Sequence, residues 1–532
     1  MGHDRPLWDG KGIGWARALL TGALLLAATA APARALAVPA TPARTSPDTS
    51  LFIGAARIVD GTGRPAYSGA VRIRGDRIVA LGDLRPEPGE RVVDARGLVL
   101  APGFIDTHSH SDDGLFKDPG ALADVSQGIT TIVVGQDGGS AYPLARFFER
   151  VEAAPVAVNV ASFAGHNTIR RRVMGADFRR GASDLEIERM RAALRGELAA
   201  GALGLSTGLE YDPGIYSTTE EVVALAREAS RVGGRYVSHL RSEDRAVWEA
   251  VDEAIRIGRE ADVPVHISHM KLAMRSLWGQ ADRLLAHLDS ARAAGLEITA
   301  DIYPYTYWQS TMTVLFPERN FEDREAAAFA LRELVAPDQM WIADYQPRPS
   351  YAGRSLAQIA RLRDQDPVTA FLGLIAESQA LERTTGHGTE SIIATSMDSV
   401  DVARLLAWPH ANFCTDGGLR GGHPRGFGSF PRVLGRYVRE RGILSPEEAV
   451  RKATSLAAQH MGIRDRGTLR PGAYADMVLF DPDRILDRAT TRAPTRMAVG
   501  VERVWVNGVE VYADRRATGA GSGRVIRRSP GR

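Results

Sequence analysis

A chain of 532 residues that is 44% hydrophobic and 24% charged has an ordinary globular composition, with room for one large domain and a smaller one. A net charge of +2 speaks against nucleic acid as a partner, because that role calls for a concentrated basic surface. Cys414 is the only cysteine, so no intrachain disulfide can form, and basic charge rests almost wholly on arginine: the only lysines are Lys11, Lys117, Lys271 and Lys452.

Residues 1–35 read as a secretory signal peptide. Lys11 and Arg17 flank the start of an apolar run over 18–31, and Ala33-Arg34-Ala35 supplies small residues for cleavage. The run is shorter than the ~20 residues of a membrane span, so a periplasmic or secreted protein with no stable membrane insertion after cleavage is expected. Residues 36–50, rich in Pro, Ala, Thr and Ser, read as an unstructured linker. Over 51–100, β-rich runs at 56–60, 70–74 and 77–81 are separated by glycine turn signals and predict a small sheet.

From 101 to 464, strand-like apolar runs alternate with helical patterns, which predicts parallel strands joined by crossover helices. Eight runs qualify: residues 103–107, 130–135, 155–161, 201–206, 235–239, 264–269, 296–302 and 411–416. Eight is the number for a (β/α)8 barrel, whose functional residues gather at the carboxyl ends of its strands. The first run delivers His108 and His110, two apart and therefore on one face. The fifth, sixth and eighth end in His239, His269 and Asp416. His266, three residues before His269, falls on the opposite face and is expected to pack against a helix. Residues 315–410 exceed one crossover, and a small insertion or lid is placed near 315–355. β-rich segments return at 475–480 and 501–511, the second a hairpin turning at Asn507-Gly508. Residues 516–532, with Gly, Ser and Arg but no periodicity, predict a disordered tail.

An HxH pair, two further histidines and an aspartate, each at a strand end, resemble the amidohydrolase superfamily of metal-dependent hydrolases. Over residues 50–515 the chain resembles, more narrowly, the N-acyl-D-amino-acid deacylases, or D-aminoacylases. That likeness rests on residues 102–110, Gly165-His166-Asn167-Thr168-Ile169-Arg170, residues 263–271, Tyr303-Pro304-Tyr305, and His423-Pro424-Arg425 followed by Phe430-Pro431-Arg432. The resemblance implies an α/β fold in which 51–100 and 465–515 complete one β-sandwich beside the barrel. It also implies one or two zinc ions, with His239 and His269 on the tighter site and His108 and His110 on the second. Imidazole and carboxylate suit zinc, which lowers the pKa of a bound water toward ~7 and polarises a carbonyl. A carboxylated lysine bridging two metals, frequent in the superfamily, is excluded because no lysine lies between Lys117 and Lys271. The cysteine that D-aminoacylases place after the second strand is replaced by Asp137. A carboxylate can bridge two cations, so Asp137 is expected as a ligand, its other role being a turn residue in Asp-Gly-Gly. Cys414, two residues before Asp416, is a rival thiol.

Asp416 is the expected general base that takes a proton from the attacking water and returns it to the amine; it is also expected to reach the metal. The resemblance assigns Lys271 and Arg425 to the substrate α-carboxylate, with a hydrogen bond from Tyr303, and Ser310 or Thr311 is a further candidate donor. His166 either lines the pocket or caps the next helix. The implied activity is hydrolysis of a carbon–nitrogen bond in a small-molecule N-acyl-D-amino acid, or in a dipeptide ending in a D-residue. The D-configuration comes from the resemblance alone. A hydantoinase- or dihydroorotase-like cyclic-amide hydrolase is the alternative, disfavoured by the missing lysine and the His-Pro-Arg loop. A non-catalytic binding relative would be expected to have lost ligands. No oligomeric state follows from the sequence.

Overall fold

The computed structural model describes residues 50–529; the expected signal peptide, and the linker except for Ser50, lie outside the described residues. The chain opens with β1 (Ser50–Ile58), β2 (Tyr67–Arg74), β3 (Arg77–Gly82), β4 (Arg91–Asp94) and β5 (Val99–Pro102). Strands then alternate with helices: β6 (Phe104–Asp106), β7 (Ile129–Val134), β8 (Asn159–Ser162), β9 (Ala164–Gly165), β10 (Gly204–Gly208), β11 (Arg235–His239), β12 (Val265–Ile267) and β13 (Ile298–Ile302). An excursion carries β14 (Tyr307–Ser310), β15 (Met340–Tyr345) and β16 (Glu390–Thr395) before β17 (Ala411–Phe413). The chain closes with β18 (Met477–Phe480), β19 (Val501–Val506), β20 (Val509–Ala513) and β21 (Arg516–Ala517).

Both ends of the chain share one nine-stranded sheet, ordered β21-β20-β19-β18-β5-β1-β2-β3 with β4 on β1. A bulge between Ile53 and Ala56 divides β1, so that its first half pairs with β4 and its last residues with β5. The buried side chains come from both ends: Ile53, Ile58, Val71 and Leu100 pack with Met477, Leu479 and Trp505. The β19–β20 hairpin turns at Asn507 (φ 50°) and Gly508 (φ 80°), the left-handed pair that a tight hairpin demands.

Strands β6 to β13 and β17 pair in parallel, as β6-β7-β8 and as β17-β13-β12-β11-β10-β9, and apart from Arg235 at the start of β11 they are buried, as strands covered on both faces must be. Only Phe163 separates β8 from β9, and its amide donates to Val134 O at 3.0 Å. At the other seam Ser109 bridges Gly417 in parallel and Asp416 N donates to His108 O at 2.8 Å. The third and fourth strands start later than the apolar runs predict. Val156 O is taken by Gly523 N, and Gly201 (φ 111°) caps the helix Asp184–Ala200 while Ala202 N still reaches back to Glu197 O.

Two expectations need correction. The insertion is not confined to 315–355: β14, β15 and β16 form their own antiparallel sheet, so the excursion runs over 307–395 and includes the 19-residue helix Pro367–Thr385. Hydrophobic periodicity marks those helices well enough, but short strands that pair across long separations leave little local signal. Nor are residues 516–529 a disordered tail. Val525 bridges Val160, Arg524 N donates to Asn159 Oδ1, and Arg528 N donates to Gly201 O. Glycine suits this path, because a Cβ on Gly523 would lie 1.9 Å from Val158 O. Among the described residues, no helix is long and apolar enough to cross a membrane.

Candidate active site

Three residues at the carboxyl ends of the parallel strands hold left-handed backbone: Asp137 (φ 52°), His269 (φ 33°) and Asp416 (φ 48°). Such conformations are uncommon outside glycine and persist where surrounding contacts over-determine them. His269 N donates to Asp301 Oδ1 at 2.5 Å, and Asp416 N is fixed by His108 O. Asp137 follows Gly135 (φ 75°) and precedes Gly138 (φ 73°); a Cβ on Gly138 would lie 2.3 Å from Asn167 Oδ1, so only glycine lets this loop lie against the neighbouring one.

Asp137 is the hub of the cluster. Its Oδ1 lies 3.3 Å from His108 Nε2, 3.3 Å from His269 Nε2 and 3.9 Å from His239 Nδ1, and its Oδ2 lies 3.2 Å from His110 Nε2. Asp416 Oδ1 is 3.3 Å from His110 Nε2 and 3.7 Å from His108 Nε2. His239 Nδ1 and His269 Nε2 are 3.0 Å apart. The outward nitrogens of these two rings are held by carboxylates, His239 Nε2 by Glu210 at 2.8 Å and His269 Nδ1 by Glu243 at 3.0 Å. Lys271 Nζ lies 2.6 Å from both Glu243 oxygens and 2.7 Å from His269 Nδ1, and Arg425 Nη1 lies 2.6 Å from Asp416 Oδ2.

The electrostatics match this crowding. Burial works to raise the Asp137 carboxyl, but the charges of His108 and His269 hold it well below the usual carboxylate range. Burial is likewise outweighed at Asp416 by the Arg425 guanidinium and His269. At His269, burial and Lys271 oppose protonation, yet Glu243, Asp416 and Asp137 push the ring up to about 10. These carboxylates therefore call for positive charge among the rings. His108 is fully buried with neither ring nitrogen in a hydrogen bond, an orphaned pair in a setting where buried polar atoms normally find partners. Among the described residues, two groups have donor atoms close enough for one ion: His108, Asp137, His269 and Asp416, and His239, Glu243 and His269. Imidazole with carboxylate is a donor set that suits zinc.

A cleft opens beside the cluster, lined among others by Tyr211, Lys271, Tyr303, Ser310, Asp416 and Arg425. Tyr303 Oη and Arg425 Nε, on two of the lining residues, are buried without partners. Thr311 is engaged by Thr313 and is not among the lining residues. His166 is elsewhere. It opens the helix His166–Met174 and its Nε2 lies 2.8 Å from Glu221, which also receives Arg170 Nε at 2.9 Å. The pocket-lining expectation for His166 is therefore corrected to a buried ionic tie between helices. His266 packs as expected against a helix, its ring 5.6 Å from that of His460 on the helix Ser455–Met461, and it also contacts Thr299 and Asp301 of β13, where Asp301 receives Thr107 Oγ1. Cys414 is buried, its thiol pushed well up by burial, and belongs to neither ligand group. Sequence reasoning missed Glu210 and Glu243, which arrive from loops. Glu243 lies four residues after His239, a spacing that offered the one available signal.

A parallel α/β frame that gathers four imidazoles and two carboxylates at its strand ends has the ligand chemistry of a metal-binding enzyme. The Amidohydrolase family profile matches residues 91–331 and 394–512, leaving most of the insertion between the two segments. An N-acyl-D-glutamate deacylase of Alcaligenes xylosoxydans xylosoxydans is 38% identical over 502 residues, spanning 90% of this chain and 96% of the relative. A D-aminoacylase of the same organism is 35% identical over 504 residues, spanning 90% and 98%. The crystal structure of N-acyl-D-glutamate deacylase from Bordetella bronchiseptica, complexed with zinc and a phosphonate mimic of the tetrahedral intermediate, superposes with a TM-score of 0.80 at 35% identity, covering 90% of this chain and 100% of that one. The chain belongs to the amidohydrolase family.

Proposed function

We propose that the protein is a zinc-dependent amide hydrolase, acting on carbon–nitrogen bonds other than ordinary peptide bonds, whose substrates are N-acyl-D-amino acids or dipeptides ending in a D-residue. The observation that carries this reading is the meeting, in one cleft, of the histidine–carboxylate cluster with Lys271, Tyr303 and Arg425. His108, His110, Asp137, His239, His269 and Asp416 would hold one or two ions, which supply carbonyl polarisation and a more acidic water. The nine parallel strands, with β8 and β9 counted as one strand broken at Phe163, are read as a (β/α)8 barrel and the shared sheet as a small β-sandwich, in line with the seams described above.

In this mechanism Asp416 takes the proton from the attacking water and passes it to the nitrogen of the leaving amine. Arg425 keeps that carboxylate ionised and aimed through Nη1, while its unpartnered Nε is free for the substrate carboxylate, a planar guanidinium suiting that task. Lys271 and the unpartnered Tyr303 hydroxyl complete the carboxylate clamp. Glu210 and Glu243 fix the ring orientations of His239 and His269. The absent bridging lysine, with Asp137 in the centre of the cluster, disfavours cyclic-amide hydrolysis, and the full set of candidate ligands disfavours a non-catalytic role. A periplasmic or secreted location is proposed on the N-terminal pattern of residues 1–35.

The test is hydrolysis of paired N-acetyl-D- and N-acetyl-L-amino acids, with D-terminal dipeptides, by the zinc-loaded protein. Turnover confined to D-substrates supports the reading; zinc-loaded protein inert on the whole panel overturns it.

A further inference from the structure

We infer that the run Gly165-His166-Asn167-Thr168-Ile169-Arg170 is a clamp behind the metal centre, in which Asn167, Thr168 and Arg170 are positioning residues that lock together the two loops carrying Asp137 and Glu210. This rests on the reading of the cluster as a zinc site. The first loop, residues 135–140, delivers Asp137. The second, residues 209–217, delivers Glu210, whose carboxylate holds His239 Nε2, and Tyr211, whose ring centroid lies 4.4 Å from that of His239. No residue of the clamp belongs to either group of candidate ligands among the described residues, so the run acts on the cluster through these loops.

The first turn of the helix His166–Met174 touches both loops. Towards Asp137, Thr168 N donates to Gly138 O at 3.1 Å, and Thr168 Oγ1 accepts from Ser140 N at 3.1 Å and donates to Ser140 O at 3.3 Å. Gly165 N adds a bond to Ser140 Oγ at 2.9 Å. Towards Glu210, Asn167 Nδ2 donates to Gly208 O at 3.0 Å, and the fully buried Arg170 guanidinium donates to Pro213 O at 3.3 Å and Tyr216 O at 3.4 Å. The same guanidinium takes Phe178 O and Arg180 O at 2.6 Å, while Glu221 fixes its direction through Nε at 2.9 Å. A tie between helices needs only the Glu221 contact; the carbonyls of the second loop are a further commitment of a buried charge whose donors must all be satisfied. Asn167 Oδ1 fills the space between the loops, since a Cβ on Gly138 would lie 2.3 Å from it and one on Gly214 2.7 Å. The loops also meet directly, a Cβ on Gly208 falling 2.2 Å from Asp137 O. Neither loop can shift alone, so the clamp sets where Asp137 and the Glu210-held ring of His239 stand relative to one another, and metal affinity follows such placement.

The experiment measures zinc affinity, by competition with a chromophoric chelator, for the full chain and for Thr168→Val, Thr168→Ser and Arg170→Lys, together with the Tm of each zinc-free protein. Thr168→Val keeps the shape and deletes the hydroxyl that grips Ser140. It should weaken zinc by about tenfold or more, the scale on which groups behind the ligands act, whereas Thr168→Ser, which keeps the hydroxyl, should stay within about threefold of the unaltered protein. Arg170→Lys keeps the charge but loses the planar fork that spans several carbonyls, and should weaken zinc by about tenfold or more as well. A role confined to folding would lower the zinc-free Tm and leave zinc affinity where it was. That result in Thr168→Val and Arg170→Lys, with turnover of D-substrates at the unaltered rate, would overturn the clamp and leave the deacylase reading intact. Should Arg170→Lys fail to fold, the partly exposed Thr168 decides alone: Thr168→Val binding zinc as tightly as the unaltered protein, or Thr168→Ser as weakly as Thr168→Val, would overturn the clamp. An unaltered protein that takes up no zinc would overturn both readings.

Discussion

Asp137 occupies the place where the D-aminoacylase resemblance implies a cysteine, and the geometry gives it more to do than a turn residue needs, since all four cluster histidines lie within 4 Å of its carboxylate. Asp137→Ala should lower bound zinc per chain and reduce turnover by at least about tenfold, the scale on which metal affinity responds to altered ligation. Unchanged stoichiometry by elemental analysis together with unchanged turnover would return it to a turn role. Asp416→Asn separates chemistry from metal binding: folding and most of the zinc should survive, while kcat falls by roughly 10²–10⁴, the usual worth of a positioned proton-transfer group. A near-normal rate would remove Asp416 from the mechanism. The six candidate ligands were legible because each ends an apolar run or follows one closely, and strand ends are where such a frame puts its chemistry. Glu210, Glu243 and His166 were not. Whether a loop glutamate turns inward, or a histidine after a strand finds a glutamate two helices further on, depends on contacts between segments far apart in sequence.

The insertion is the element that local patterning read least well, since its three strands pair across separations of more than forty residues. It also carries a buried acid. Glu390 Oε1 accepts from Met312 N at 2.7 Å, while Oε2 has no partner. Burial, only partly offset by that hydrogen bond, pushes the carboxyl up from 4.5 to about 8. The folded insertion thus holds a proton that the unfolded chain releases above pH 4.5. Its contribution to stability is complete below that pH and is lost as pH rises through about 8. Glu390→Gln keeps a neutral group of similar shape and should remove the dependence. Wild-type Tm should fall relative to the variant between pH 5 and pH 9, by an amount equivalent to at most about 5 kcal/mol. Parallel Tm profiles for the two proteins over that range would show that Glu390 is ionised in the fold.

At the scale of the whole molecule, the chain ends are fastened to the strand frame through one polar junction. Asn159 at the start of β8 donates to Asp476, Asp476 pairs with Arg466 and accepts from Asn507 N, and Asn507 Nδ2 reaches both Asn159 Oδ1 and Ser522 O. The last residues continue this junction as an added strand: Gly523 N to Val156 O, Val160 N to Arg524 O, Ile526 N to Val160 O and Arg528 N to Gly201 O. Composition pointed to disorder here because the segment has few apolar residues, but backbone pairing needs none, and its glycines fit where a side chain would collide. Each such bond is worth about 1 kcal/mol net, so deletion of residues 518–532 should cost several kcal/mol and lower Tm by roughly 5 °C, given how weakly Tm responds per kcal/mol in a large domain. The junction lies at the amino ends of the strands and the cluster at their carboxyl ends. Zinc content and kcat/KM measured well below Tm should therefore stay within about twofold of the full chain, a margin typical of changes remote from a site. In the intact protein, trypsin should be slow at Arg524 and Arg528 although both are arginines near a terminus, since cleavage there waits for the strand to open. Rapid trimming at those sites with no change in Tm would show that the segment is not held as an added strand.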